Sequence, residues 1–323
     1  MRDSRTNEST VTRLDMESSE STMVKDFPEI PGYRILDKIG QGAHALVFLG
    51  IDEKSHQRVA IKELKPSRQE DQECRQRFYL ELDVVSKLKH PNIIKIYEVG
   101  KTGTYYVMEY LDPTLKKRLD DRDHKFTKKE ALIIVKKLAK ALEYAHGRGV
   151  IHRDIKPANI LFRKDKTPVL ADFGLVRSLD SQNDFTKTNI ILGTPPYMSP
   201  EQWSSANVDH LSDIYSLGVV FFEMLAGDVP YKDKSLPKLF EQHNNNSIPQ
   251  LPYKFRSCQP LLDRMMAKDK NKRIDARHVY KMASKLLTEK KGKKRILWFS
   301  LLVLLVFAVI VIGFLIADQL SSF

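Results

Sequence analysis

Apolar and polar residues alternate along three early stretches of the chain. Tyr33–Ile39, Ala45–Asp52 and Arg58–Leu64 follow the period of a half-buried strand and predict a meander. Pro66 breaks that pattern. From Glu70 to Leu88 the period lengthens, with Phe78, Leu82, Val85 and Leu88 on one side of a predicted helix. Ile93–Val99 and Tyr105–Glu109 return to strand-like spacing. Beyond Leu111 the character changes. Thr127 and Glu130 form a T-x-x-E capping signal ahead of a helical run that ends at Gly147 and Gly149. Short strand pieces at Val150–Ile151, Ile160–Phe162 and Val169–Leu170 surround loops. From Ser212 onward the spacing is helical, through Ser235–Asn244, Leu261–Ala267 and Ala276–Leu287. A strand-rich first half and a helix-rich second predict an α+β chain with two unlike parts.

The two ends read differently. Residues 1–29 are rich in Ser, Thr, Glu and Asp and hold few large apolar residues, so a disordered tail is expected, with no signal peptide in it. Ile296–Ala317 is 22 residues without a charge. At about 1.5 Å per residue that is about 33 Å, the thickness of a bilayer core. A helix packed in a protein core rarely stays apolar on every face for so long, so a single transmembrane helix is expected over 296–317. Residues 289–295 form a basic juxtamembrane segment and residues 318–323 a short tail without Lys or Arg. The positive-inside bias therefore places residues 30–288, the expected folded domain, on the cytoplasmic side.

Composition narrows the function. With 42% hydrophobic and 29% charged residues, wholesale disorder and collagen-like repeats are excluded. Only Cys74 and Cys258 are present, which excludes a disulfide framework and favours a reducing compartment. The net charge of +12 would suit nucleic acid or an anionic membrane. Between Lys281 and Arg295 seven basic residues stand against Glu289, half of that excess beside the apolar run. A membrane surface is expected, and no nucleic-acid partner.

Gly40-Gln41-Gly42 lies between two predicted strands, not between a strand and a helix. That context argues against a Rossmann-type turn; taken alone the motif reads first as an ordinary glycine hairpin, and otherwise as a flap whose N–H groups face phosphates. Ala60-Ile61-Lys62 comes on the next strand and Glu81 in the following helix. Then His152-Arg153-Asp154-Ile155-Lys156-Pro157-Ala158-Asn159, Asp172-Phe173-Gly174 and Gly193-Thr194 through Ser199-Pro200-Glu201 follow in order. With these motifs in register, the chain resembles the eukaryotic-like serine/threonine protein kinases of bacteria, over about Tyr33 to Leu287.

The resemblance implies a two-lobed protein-kinase fold that uses ATP and Mg²⁺ to phosphorylate Ser or Thr of cytoplasmic proteins, held at a bacterial cell membrane by the single span. It implies ATP contacts at Ile39, Gly40, Gln41, Gly42, Val47 and Ala60, with Met108 as gatekeeper and Glu109 to Leu111 as hinge. Lys62 would contact the α- and β-phosphates and pair with Glu81, Glu73 being the weaker candidate. Asp172 and Asn159 would ligate Mg²⁺, Asp154 would take the hydroxyl proton, and Lys156 would steady the transferred phosphate. Asp213 would brace the catalytic loop and Arg273 would pair with Glu201. Thr186 and Thr188 resemble a phosphorylated loop pair, with Arg153 and Arg177 to receive the phosphate, in trans between self-associating neighbours.

Departures are few. Ala45 replaces the third loop glycine, Ser199 stands where Ala is common, Tyr215 where Trp is common, and Ala158 puts a strong preference for basic substrates in doubt. A nucleotide-binding scaffold without turnover is disfavoured by Lys62, Asp154, Asn159 and Asp172 occurring together. A small-molecule kinase is disfavoured by the 193–201 segment, a peptide-docking platform in protein kinases.

Overall fold

The first lobe is built on the predicted meander: β1 (Tyr33–Gln41), β2 (Ala45–Asp52) and β3 (Arg58–Leu64) are consecutive antiparallel neighbours. A short helix α1 (Pro66–Gln69) and the longer α2 (Gln72–Lys87) follow, then β4 (Ile96–Val99) and β5 (Tyr105–Glu109). The sheet order is β1-β2-β3-β5-β4. The computed structural model describes residues 27–42, 44–173, 194–204 and 208–288, leaving out the side chains of Glu73, Arg77, Leu80 and Glu81.

Strand alternation gives the sheet two apolar faces. Ala45, Leu64 and Tyr106 receive Phe78 and Leu82 of α2, while Val59, Ile61 and Val107 pack with Ile30 on the opposite side. Pro66 does end the strand pattern, but it then serves as the first residue of α1, where its missing N–H costs nothing.

The second lobe is helical: α3 (Leu115–Asp120), α4 (Lys128–His146), the small hairpin β6 (Ile160–Phe162) and β7 (Pro168–Leu170), α5 (Pro200–Trp203), α6 (His210–Ala226), α7 (Leu236–Asn245), α8 (Gln259–Met265), and α9 over residues 276–288. The axis of its core is α6, buried from Ser212 to Leu225. Asp209 caps its start through the N–H of Leu211, and Gly227 ends it with φ of 92°, a left-handed position suited to glycine. Gly218 lets α8 approach closely, because a Cβ there would lie 2.7 Å from Cγ of Met266.

Three local expectations differ from what formed. The strand expected from Ile93 starts at Ile96, because Ile94 donates to the Leu170 carbonyl (2.9 Å) and Leu170 donates to that of Asn92 (2.9 Å). Those bonds stitch the sheet lobe to the β6–β7 hairpin, and the Asn92 side chain adds a bond to the Pro168 carbonyl at 2.7 Å. Val150–Ile151 is buried but belongs to no strand. Thr127 caps α4 by accepting from the Glu130 N–H at 3.2 Å, yet the Glu130 carboxylate turns to Arg118 instead of completing the box.

Among the described residues no helix is long and apolar enough to cross a membrane. The expected span 296–317, its flanks 289–295 and 318–323, and residues 1–26 of the expected tail lie outside them.

Candidate active site

Cross-strand register places the upper half of the site on one sheet face. Gly40 pairs with Val47, Val47 with Lys62, and Ala60 with Met108, and directly paired residues project to the same side. Gly40 allows the hairpin to close, since a Cβ on it would stand 3.3 Å from Cβ of Val47. The Gly42 N–H donates to the Ala45 carbonyl at 2.9 Å and forms the turn. Ile39 is exposed at this edge, and the Gln41 side chain accepts from Lys38 at 3.1 Å. Glu109, one residue past Met108, projects to the other face. Its carboxylate accepts from Arg163 Nε at 3.0 Å and Nη2 at 2.6 Å. Only the backbone of Glu109 is therefore left to border the cleft on the way to Leu111.

The lower half is a loop held in unfavourable backbone geometry. Arg153 and Asp172 have φ of 66° and 62°, left-handed values that are costly for residues with a Cβ. Asp213, buried at the start of α6, holds the first of these. Its two oxygens accept from the N–H groups of His152 (2.9 Å) and Arg153 (2.8 Å), and His146 Nε2 is 2.8 Å away. Burial pushes the Asp213 carboxyl up, but His146 and the backbone donors hold it below the ordinary carboxylate range. His152 bonds the Ala171 carbonyl through Nε2 (3.0 Å) and accepts from the Asp154 N–H at Nδ1 (3.3 Å), which fixes the Nε2–H tautomer. Phe173 is fully buried, its ring 4.5 Å from that of His152.

Around Asp154 the side chains form a closed group. Lys156 Nζ is 2.6 Å from its Oδ2, Asn159 Nδ2 donates to the same oxygen at 3.1 Å, and the Thr194 hydroxyl donates to Oδ1 at 2.8 Å. Lys156 also donates to Thr194 Oγ1 at 2.8 Å. Opposite this group, Lys62 Nζ lies 2.8 Å from Asp172 Oδ1. The Lys62 ammonium holds the Asp172 carboxyl below its ordinary range, so it stays ionised at neutral pH.

The structure thus brings Asp154, Lys156 and Asn159 together, and Lys62 to Asp172. Two of these contacts were not anticipated. Thr194 stands in sequence only as part of the docking segment; its hydroxyl, immediately before two prolines that fix the chain, is the signal that points to it. The Lys62–Asp172 pair joins residues 110 positions apart, beyond any local pattern. Glu81 lies on α2 with its side chain outside the described residues, and Thr186, Thr188 and Arg177 are outside them as well.

Supporting contacts explain two departures. Ser199 directs its N–H (3.0 Å) and hydroxyl (3.1 Å) to Gln202 Oε1, and Gln202 Nε2 donates to the Arg153 carbonyl at 2.8 Å, tying α5 to the catalytic loop. Tyr215 bonds His243 Nδ1 through its hydroxyl at 3.0 Å, a contact that Trp would not make in this form. Arg273 grips Glu201 with two nitrogens, at 2.7 and 3.1 Å.

Residues 33–283 match the family model for the protein kinase domain. The chain is 32% identical over 275 residues to a probable serine/threonine-protein kinase PknB of Lactococcus lactis subsp. lactis, covering 82% of this chain and 44% of that protein. It is 33% identical over 253 residues to serine/threonine-protein kinase PknB of Mycolicibacterium smegmatis, covering 76% and 40%. With a probable serine/threonine-protein kinase of Clostridium acetobutylicum it shares 37% over 201 residues, covering 62% and 30%. The chain spans less than half the length of these relatives.

Proposed function

The chain belongs to the protein kinase family, and on that premise we propose that it transfers the γ-phosphate of ATP to serine or threonine hydroxyls of proteins. The observation that carries this reading is the closed group of Asp154, Lys156, Asn159 and Thr194 facing Lys62 and Asp172. Asp154 accepts the hydroxyl proton, and Lys156 balances charge on the phosphoryl oxygens. Lys62 orients the nucleotide phosphates, with Glu81 of α2 as its assigned partner and the backbone from Glu109 to Leu111 bordering the base.

The residues suit Mg²⁺ as well. Asp172 offers a half-exposed carboxylate, and Asn159 commits its Nδ2 to the Asp154 carbonyl and carboxylate, leaving Oδ1 as the free acceptor type. Among the described residues no group of three His, Cys, Asp or Glu side chains could hold a metal, and a cation shared with nucleotide phosphates needs no such cage. Bound there, Mg²⁺ neutralises phosphate charge. Incubation with γ-labelled ATP, Mg²⁺ and a generic acceptor protein is the test: label on Ser or Thr supports the reading, and nucleotide binding without transfer would make the chain a scaffold instead.

Residues 296–317 are read as a single transmembrane anchor with the kinase domain cytoplasmic, supported by the uncharged run and its basic flank. Full-length protein is expected to fractionate with membranes and resist carbonate extraction; recovery in the soluble fraction without detergent would overturn the anchor.

Autophosphorylation of Thr186 or Thr188 is part of the same reading. A phosphate of about −1.5 to −2 charge there suits the guanidiniums of Arg153 and Arg177, and confinement in one membrane favours transfer between neighbouring copies. Mass spectrometry of active protein should find phosphate on one of the two, and the double Thr→Ala variant should turn over more slowly. An unmodified loop with unimpaired variant activity would remove this step.

A further inference from the structure

The last helix leaves the domain at a pole rich in cations and carrying one exposed aromatic ring. Lys136 and Lys140 of α4 hold their ammonium groups 5.0 and 4.5 Å from the centre of the Tyr280 ring in α9, and Arg277 donates to Glu143 at 2.9 Å. Lower numbers on one helix meet higher numbers on the other, so α4 and α9 run antiparallel. Eight residues beyond Tyr280 brings α9 to Thr288, and eight back from Lys136 brings α4 to Lys128, about 12 Å along each axis. The end of α9 therefore stands beside the start of α4.

Lys128 donates to Ser257 Oγ at 2.7 Å, which adds the turn Tyr253–Cys258 to the same pole. Tyr253 is 86% exposed, with the Arg256 guanidinium 5.6 Å from its ring centre and Lys254 next in sequence. Lys129 and Lys285 are exposed on the adjoining helix ends. Of the acids nearby, Glu130 is paired with Arg118, whereas Asp263, which accepts from Gln259 Nε2 at 2.7 Å, and the exposed Asp121 and Asp123 keep their charge and are outnumbered by the lysines and arginines. Tyrosine beside lysine and arginine suits the headgroup level of a bilayer, where an anionic surface attracts each nearby cation.

Chain length sets the distance. Only residues 289–295 separate α9 from the run read as an anchor. Fully extended, at about 3.5 Å each, they reach about 25 Å.

We propose that this pole, formed by the start of α4, the Tyr253 turn and the end of α9, is a docking surface for an anionic lipid bilayer; the proposal rests on the reading of 296–317 as a membrane anchor. Docking orients the enzyme. The 19 residues of α4 span about 28 Å and end at His146, which bonds Asp213 under the catalytic loop. The cleft is thereby held up to about that much farther from the membrane than the pole, the full distance applying if α4 stands along the membrane normal.

The test uses the full chain in lipid nanodiscs, labelled with a fluorophore through Tyr253→Cys or, as the distant reference, Ser55→Cys in the β2–β3 turn. Cys74 and Cys258 are buried. Quenching by nitroxide-headgroup lipids reports proximity. In discs containing phosphatidylglycerol the label at 253 should be quenched at least about two-fold more than that at 55, and the excess should fall in pure phosphatidylcholine or with Lys254→Glu plus Arg256→Glu. Equal quenching at both positions in carbonate-resistant protein overturns the docking surface alone. An excess that survives phosphatidylcholine and charge reversal also overturns it, by assigning proximity to the tether. Release of the chain by carbonate overturns the anchor reading and the docking surface with it.

Discussion

Asp154→Asn lowers phosphoryl transfer by about 10²–10⁴-fold and leaves ATP affinity within about two-fold of the parent: this is the expected result, from the usual weight of a positioned general base. Asparagine fills the same space, and its amide can turn the oxygen to Lys156 Nζ and Asn159 Nδ2, which now donate to Oδ2 at 2.6 and 3.1 Å, and its NH2 to the Thr194 hydroxyl oxygen. The loop is kept, but an amide is not a base, so nothing remains to take the hydroxyl proton. Nucleotide binding is spared because Lys62, Met108 and the backbone beyond it belong to the opposite lobe. Turnover with labelled ATP and a separate nucleotide titration check the two halves. Parental turnover would remove Asp154 from the reaction.

The second large effect is on stability. Glu201→Ala is expected to cost about 3–5 kcal/mol, because it strands the Arg273 guanidinium, whose side chain is 0% exposed, without its carboxylate. The bonds from Arg273 to the carbonyls of Leu211 and Ala267, at 2.9 and 3.1 Å, persist and favour the lower end of that range. At about 2–4 °C per kcal/mol for a domain of this size, the thermal midpoint should fall by about 10 °C.

The pair also has a pH signature. Burial pushes the Glu201 carboxyl up, but Arg273 wins and holds it below its ordinary value of 4.5. A depressed carboxyl stabilises fully above that ordinary value, and the contribution is lost as pH falls through the lowered one. The parent should therefore lose stability on acidification more steeply than Glu201→Ala. Thermal unfolding of both proteins in detergent across that range is the measurement, and superimposable curves would deny the pair its role.

Strand and helix periods made the two unlike lobes legible, because burial on one face imprints alternation and heptad-like spacing directly on the chain. Elements set by distant partners were not legible. Ile93 and Ile94 read as strand because they are apolar, yet the Ile93 N–H donates to the His90 carbonyl and the Ile94 N–H to that of Leu170 in the other lobe. Glu130 satisfied the local capping rule but was claimed by Arg118, a tertiary competitor. At the site, residue types in register indicated Asp154, Lys156 and Asn159. The hydroxyl of Thr194 and the Lys62–Asp172 contact depend on how loops fold back across the cleft.

The cross-lobe stitching has a mechanical consequence. Along the back of the molecule the lobes share the Ile94–Leu170–Asn92 backbone bonds, the Asn92 side chain on the Pro168 carbonyl, and Arg163 gripping Glu109 while its other arm reaches the Pro91 carbonyl. Such an edge resists being pulled apart, whereas among the described residues the front is spanned by the ion pair of Lys62 and Asp172. A lobe opening about this edge would pivot at the rear and be widest at the glycine flap, so the proposed nucleotide would enter and leave from the front.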